Sequence, residues 1–200
     1  MPSPFDQSRY QVRVEWGTAG LTRLAPAEIV VLVDVLLDST SVADAVARGD
    51  RAPVPPSLAE AVAAAGDALV YAAGLTNATA VAREVLAEQQ RRADRTSVAV
   101  IALGDADDRG GLRVAVEDQF GVGAVVDALG TLGIDHTSPE AAAAGESFRG
   151  LRRALRHLLT ASGAGQALLD AGRRDEVLAA ARIDAVDVVP VLRDGVFVTA

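Results

Sequence analysis

The 200-residue chain has no cysteine, and only 4% of its residues are aromatic. The first absence excludes disulfides, thiolate metal sites and cysteine nucleophiles. The second predicts a core of small side chains and closely packed helices. Lysine is missing too, so all 19 basic residues are arginine. Positive charge is in deficit, with 27 acidic residues and a formal charge of −8, which argues against a nucleic-acid binder. An anionic substrate remains admissible, because a metal ion and helix N-termini can reverse the field locally. No apolar stretch approaches the ~20 residues of a transmembrane helix. The opening MPSPFDQSRY lacks the apolar segment of a signal peptide. A soluble, cytoplasmic protein with no membrane partner is expected.

Half of the residues are hydrophobic, mostly Ala and Val. That suffices for one α/β domain over residues 1–200, with 1–9 expected to be loosely ordered. The run Ile29-Val30-Val31-Leu32-Val33 reads as a strand buried on both faces, as in a parallel sheet. Asp34 ends it with a charge. Ser39-Thr40-Ser41 then opens a helix that closes at Arg48-Gly49, hydroxyls at its start and glycine at its end. In open α/β sheets ligands sit at such strand ends, facing helix N-termini. A carboxylate there can hold a divalent cation, and free N–H groups can hold a phosphate. The same residues also serve ordinary loop and capping chemistry.

Further strands are expected at Gln11–Trp16, Ala68–Ala72 and Ser97–Leu103. Helices are expected over Leu58–Ala65, capped by Ser57, and over Ala80–Ala93, with Asn77 as N-cap or loop residue. The proline-rich segment Asp50–Ser57 admits an edge strand but not a central one. The acidic loop Asp105–Gly111 does not fit an EF-hand. Residues Leu112–Leu129 suit a buried helix carrying Glu117 and Asp118. Its Gly121 and Gly123, each costing ~1 kcal/mol relative to Ala, suggest either close approach of another backbone or a break. The carboxylate pair is either a metal-binding element or a solvated turn. Ser138-Pro139 starts another helix in the usual cap order. Short helices follow, and two strands around Arg193-Asp194-Gly195 form a terminal hairpin. Strands alternating with helices give the fold class: a mainly parallel α/β sheet flanked by helices, with extra helices and short strands in the C-terminal third. His136 and His157 read as surface residues. The cluster Arg152, Arg153, Arg156 is a solvated face or faces an acidic partner. No nucleotide-binding glycine motif is present.

In order and spacing, VRVEWG, VVLVDVLLDSTSVADAVARG, LVYAAGLTNATAVAREVL, VAVIALG, VEDQFGVGAVVDAL, SPEAAAA and SGAGQALLDAG…VPVLRDGVF resemble the 2-phosphosulfolactate phosphatase (ComB) family. The resemblance implies Mg²⁺-dependent hydrolysis of the phosphate ester of a sulfonated hydroxy acid, a small anionic substrate. It maps the family's patterns onto Asp34, Ser39, Thr40, Asn77, Glu117, Asp118 and Gly123. Asp34 and Glu117 would be catalytic. Asp34, Glu117 and Asp118 would hold the metal, and Ser39, Thr40 and Asn77 would bind substrate. Two departures stand out. Leu37 replaces the arginine that many members have after the D-V-L step, and the interval between Gly49 and Ala68 is shortened to DRAPVPPSLAEAVAAAGD. The alternative is therefore a catalytically inactive binding or assembly protein on the same scaffold. An Ala- and Val-rich helical surface would suit such a homo-oligomer.

Overall fold

The computed structural model describes residues 3–106 and 109–200. In chain order its elements are β1 (Val12–Trp16), α1 (Gly17–Arg23), β2 (Ile29–Val33), α2 (Asp38–Ala47), β3 (Ala52–Pro53), α3 (Pro56–Ala64), β4 (Leu69–Ala73), α4 (Ala78–Arg92), β5 (Val98–Ala102), β6 (Asp105–Ala106), β7 (Leu112–Arg113), α5 (Val116–Thr131), α6 (Pro139–Leu151), α7 (Leu155–Ala161), α8 (Gly163–Asp170), α9 (Arg174–Ala180), β8 (Pro190–Arg193) and β9 (Val196–Thr199). The seven-stranded sheet runs β1-β5-β2-β4-β8-β9-β3. Its first four strands are parallel and the last three are antiparallel additions. The fold is the α/β class read from the sequence.

β2 is central because every residue in it is apolar and buried. Its side chains divide by the two-residue period of a strand. Ile29, Val31 and Val33 join a core with α4, α5 and α6. Val30 and Leu32 join a second core with α1, α2 and α3. The sheet is thus wound on both faces. β2 leads into α2 on one face, while its neighbour β5 leads through the β6–β7 hairpin to α5 on the other. Such a divergence opens a crevice outside the carboxyl ends of the two strands.

Several elements depart from the expected boundaries. α2 begins at Asp38, so Ser39, Thr40 and Ser41 lie in its first turn. Ser57 does not cap α3; the helix starts at Pro56, with Pro55 in extended conformation before it. α5 starts at Val116 rather than Leu112, placing Glu117 and Asp118 in its first turn, where the helix dipole favours negative charge. Ser138 does cap α6, accepting from the Ala141 N–H at 3.1 Å. The Asp194-Gly195 turn has φ of +49° and +75°, the left-handed pair that a two-residue hairpin needs. The start of the chain is tied down from Gln7 onward. Its buried side chain donates to the Val14 carbonyl at 2.9 Å and accepts from the Val14 N–H at 3.2 Å. Met1 and Pro2 lie outside the described residues, as do Asp107 and Asp108 of the acidic loop.

Candidate active site

Asp118 straddles the crevice. Its Oδ1 accepts from the Val35 N–H at 2.7 Å and its Oδ2 from the Gly104 N–H at 2.9 Å. Val35 follows β2 and Gly104 follows β5, so one carboxylate ties the two diverging strands at their carboxyl ends. The group is buried, 2% exposed. Its pKa is raised well above the usual carboxylate range, first by burial and then by the charge of Asp34, against the pull of the two N–H donors.

Asp34 closes the turn between β2 and α2. Its Oδ1 accepts from the Leu37 N–H at 3.2 Å, and the Asp38 N–H also favours its charged form. The carboxylate therefore occupies the N-terminus of α2. Asp34 is 6% exposed, and its pKa is raised to about 7, by burial first and then by the charges of Asp38 and Asp105. Ser57 joins the cluster from α3. Its hydroxyl lies against Asp38 Oδ2 and 3.4 Å from Asp34 Oδ2. A hydroxyl has one proton, so the two carboxylates compete for it.

The hydroxyls expected to meet a ligand are turned inward. Ser39 Oγ donates to the Asp34 carbonyl at 2.5 Å and accepts from the Asp34 N–H at 2.9 Å. Thr40 Oγ1 donates to the Val35 carbonyl at 2.7 Å. Such side-chain-to-backbone bonds compete with capping, and here they fix the four-residue turn that carries Asp34. Asn77 is fully buried. Its Oδ1 accepts from the Gly74 N–H at 2.9 Å, and its Nδ2 donates to the carbonyls of Ala72 and Val188, each at 3.3 Å. It shapes the loop after β4 and joins it to the segment before β8.

Glu117 is 2% exposed, and its Oε2 has no hydrogen-bond partner among the described residues. It stands one turn before Gly121, on the same face of α5. A Cβ at Gly121 would meet the Val33 and Val35 side chains and pass 3.8 Å from Gly74 Cα. The helix face of Glu117 is thereby directed at the carboxyl ends of β2 and β4. Gly74 in turn abuts Thr40 and Ser39. The fold thus gathers Asp34, Ser39, Thr40, Asn77, Glu117 and Asp118 around one sheet edge.

Sequence reasoning passed over Asp38 and Ser57. Asp38 carried a usable signal, a second acid within the turn that Asp34 opens. Ser57 carried none, because only the packing of α3 brings it there. The carboxylates are closed in rather than set in an open cleft. A cavity of about 550 Å³ lies instead at the opposite end of the sheet, against the segments 24–28 and 64–68. Among the described residues, no group of three or more His, Asp or Glu side chains is arranged to hold a metal alone. Mg²⁺ needs only one or two carboxylates and keeps its waters. Among the described residues Asp34 and Asp38 form no ion pair, and this, with the unsatisfied buried oxygen on Glu117, is compatible with that requirement. Asp118 has both oxygens engaged by main-chain donors.

The fold and the crevice define a doubly wound α/β protein whose carboxylates converge where adjacent strands diverge. A family model for 2-phosphosulpholactate phosphatase matches residues 56–195, more than half of the chain. The chain belongs to that family. The match takes in Ser57, Asn77, Glu117 and Asp118 and begins after Asp34, Ser39 and Thr40. No curated protein matches the chain. No helix among the described residues is long and apolar enough to cross a membrane.

Proposed function

We propose that the protein is a Mg²⁺-dependent phosphatase acting on the phosphate ester of a small acid, of the 2-phosphosulfolactate type. The observation that carries the reading is the grouping of Asp34, Asp38 and Asp118 where β2 and β5 end, in a chain of this family. Asp34, with Asp38 beside it, would hold the cation directly or through water, and Glu117 would contribute at most through water. Bound there, Mg²⁺ would polarise the phosphoryl oxygen and acidify the attacking water. In the metal-free protein burial and the neighbouring acids raise the Asp34 pKa to about 7, and a bound cation would hold the group ionised as its ligand. Glu117 offers the acceptor oxygen that the protein leaves unsatisfied. Asp118 positions the crevice by holding Val35 and Gly104. Ser39 and Thr40 support the site by locking the Asp34 turn.

The test is release of inorganic phosphate from 2-phosphosulfolactate and related phospho-acids. Activity should require Mg²⁺, vanish with chelator, and fall by at least about a hundredfold in Asp34→Ala. Wild-type protein inert across such a panel with Mg²⁺ refutes the reading. A second reading is a non-catalytic binding or assembly protein on the same scaffold. It is favoured by the shortened 50–67 interval and by the placement of Asp34 at the helix N-terminus that a phosphate would otherwise use. Calorimetry separates the two: anion binding that needs no Mg²⁺, in a protein without turnover, supports the second.

A further inference from the structure

The opposite end of the sheet has the reverse electrostatic character. Where β1, β5 and β2 begin, a polar cavity of about 270 Å³ is lined by Arg9, Arg13, Arg95, Tyr10, Glu28 and Ser97. This gathers guanidinium groups in a chain of net charge −8. Arg13 is 6% exposed, although it occupies a strand position that would ordinarily be apolar. Its Nε donates to the Tyr10 carbonyl at 2.9 Å, and its Nη1 to the carbonyls of Ala25 at 2.9 Å and Pro26 at 3.3 Å. Arg95 Nη2 lies 2.6 Å from His136 Nδ1. Among the described residues none of these three arginines forms an ion pair. The acids whose charge reaches Arg13 are Glu28 and Asp6. Both are engaged elsewhere. Glu28 Oε2 accepts from the Ser97 N–H at 2.7 Å and its hydroxyl at 2.5 Å, and Asp6 Oδ1 accepts from the Ser8 N–H at 2.9 Å.

A buried cation bonded only to neutral carbonyls is incompletely compensated. Guanidinium groups converging on one cavity present donors in the planar forks that match phosphate and related oxyanions. Among the residues that line the pocket, three arginines face one acid, Glu28. A tetrahedral oxyanion fits the available volume many times over, leaving room for a substituent.

We propose that this pocket is a second ligand site, binding a small tetrahedral oxyanion through Arg9, Arg13 and Arg95. The ligand is free phosphate or sulfate, or the same group on a small organic molecule. Five strand residues separate the site from the Asp34 crevice, about 16 Å along the sheet, so it is distinct from the carboxylate cluster and independent of any turnover there. Arg13 also fastens β1 to the Ala25–Pro26 segment, so the test leaves it in place and removes the two exposed arginines.

The experiment is a titration of the metal-free protein with inorganic phosphate, sulfate, glycerol phosphate and acetate, followed by amide chemical shifts. Phosphate and sulfate should give saturable shifts at residues 8–11, 95 and 97. The double variant Arg9→Ala/Arg95→Ala, keeping its fold by circular dichroism, should bind at least about tenfold more weakly. Tighter binding of glycerol phosphate than of phosphate identifies a substituted ligand, and the reverse identifies the free anion. Absence of saturation overturns the proposal, as does unchanged affinity in the double variant. A response to acetate equal to that of phosphate overturns the oxyanion assignment.

Discussion

Three glycines on α5 should respond to the same substitution with opposite signs. Gly123 lies where α5 crosses α6. A Cβ built there stands 2.3 Å from the Ala144 carbonyl oxygen and 2.7 Å from Phe148 Cβ. The first of these is backbone of a neighbouring helix and cannot swing away. At Gly121 the new methyl would lie 2.5 Å from Val35 Cγ2 and 2.6 Å from Val33 Cγ1, both on β-branched side chains with little rotamer freedom. At Gly130, in the last turn of the same helix, it meets nothing within 4 Å. Alanine gains up to ~1 kcal/mol of helix propensity over glycine. Overpacking costs ~1–3 kcal/mol, more when backbone must move. Gly130→Ala should therefore stabilise by about 0.5–1 kcal/mol, with the smaller figure for a helix end. Gly123→Ala should lose about 2 kcal/mol or more after the propensity gain is subtracted.

Urea unfolding of the three variants at one pH measures this directly. Because α5 carries Glu117 and Asp118 in its first turn, Gly121→Ala and Gly123→Ala should also disturb the amide signals of Val35 and Gly104, the two donors to Asp118. If Gly123→Ala is as stable as wild type, the two helices are not in backbone contact and the position of the carboxylates must be set by something else.

Further tests bear on the carboxylates themselves. Asp34, with its pKa raised to about 7, holds a proton in the folded state that the unfolded chain releases near pH 4. Its contribution to stability is present below that pH and lost as pH rises toward 7, with a ceiling of about 4 kcal/mol. Metal-free wild type should lose stability relative to Asp34→Asn across this window, and parallel pH profiles of the two would refute the shift. Asp118→Asn places an amide against two N–H donors where only one of its atoms can accept. Chemical denaturation should show a loss of about 1–3 kcal/mol, and a neutral result would mean that the Val35 and Gly104 bonds are not made. Asn77→Ala removes the partners of Gly74, Ala72 and Val188 together, and should cost about 2–4 kcal/mol in the same assay. Inorganic phosphate without a divalent cation should leave the amides of 34–39 and 104–105 unmoved, and Mg²⁺ added with it should shift them. Equal shifts without Mg²⁺ would show that the crevice takes anions unaided.

The parallel core was legible because β2 and β5 are apolar throughout: Ile29–Val33 was read to the residue. Helix starts were harder. Ser39, Thr40 and Ser57 have the composition of caps, but their hydroxyls find carbonyls and carboxylates nearer than the helix N–H groups, a choice made by tertiary packing. Glycine gave a double signal in α5, close approach or a break. The answer came from α6, whose place depends on contacts far along the chain. Asp34 was singled out by the charge it puts at a strand end, and Glu117 and Asp118 by a pair of charges inside an otherwise apolar helix. Ser57 and Arg13 were not: Ser57 reads as a helix cap until the packing of α3 sets its hydroxyl against Asp38 and Asp34, and an arginine in an alternating strand reads as solvent-facing until the fold buries it.

The chain's own acids occupy the places where an anion would ordinarily bind. Asp34 sits at the N-terminus of α2, and Glu117 and Asp118 lie in the first turn of α5. Asp184 reaches the start of α4, accepting from the Thr79 N–H at 2.9 Å and the Thr79 hydroxyl at 2.7 Å. The dipoles of α2, α4 and α5, which face the carboxyl edge of the sheet, are thus partly offset by carboxylates of the protein. A phosphate ester arriving alone would meet repulsion from Asp34 and Asp38, while Asp105 is paired with Arg113. A divalent cation reverses that balance, since it is attracted by the same carboxylates and adds positive charge next to them. The same acids that disfavour a phosphate unaided at this edge make a cation the natural first ligand there, unlike the arginine-lined pocket at the other end, where an anion needs no such help.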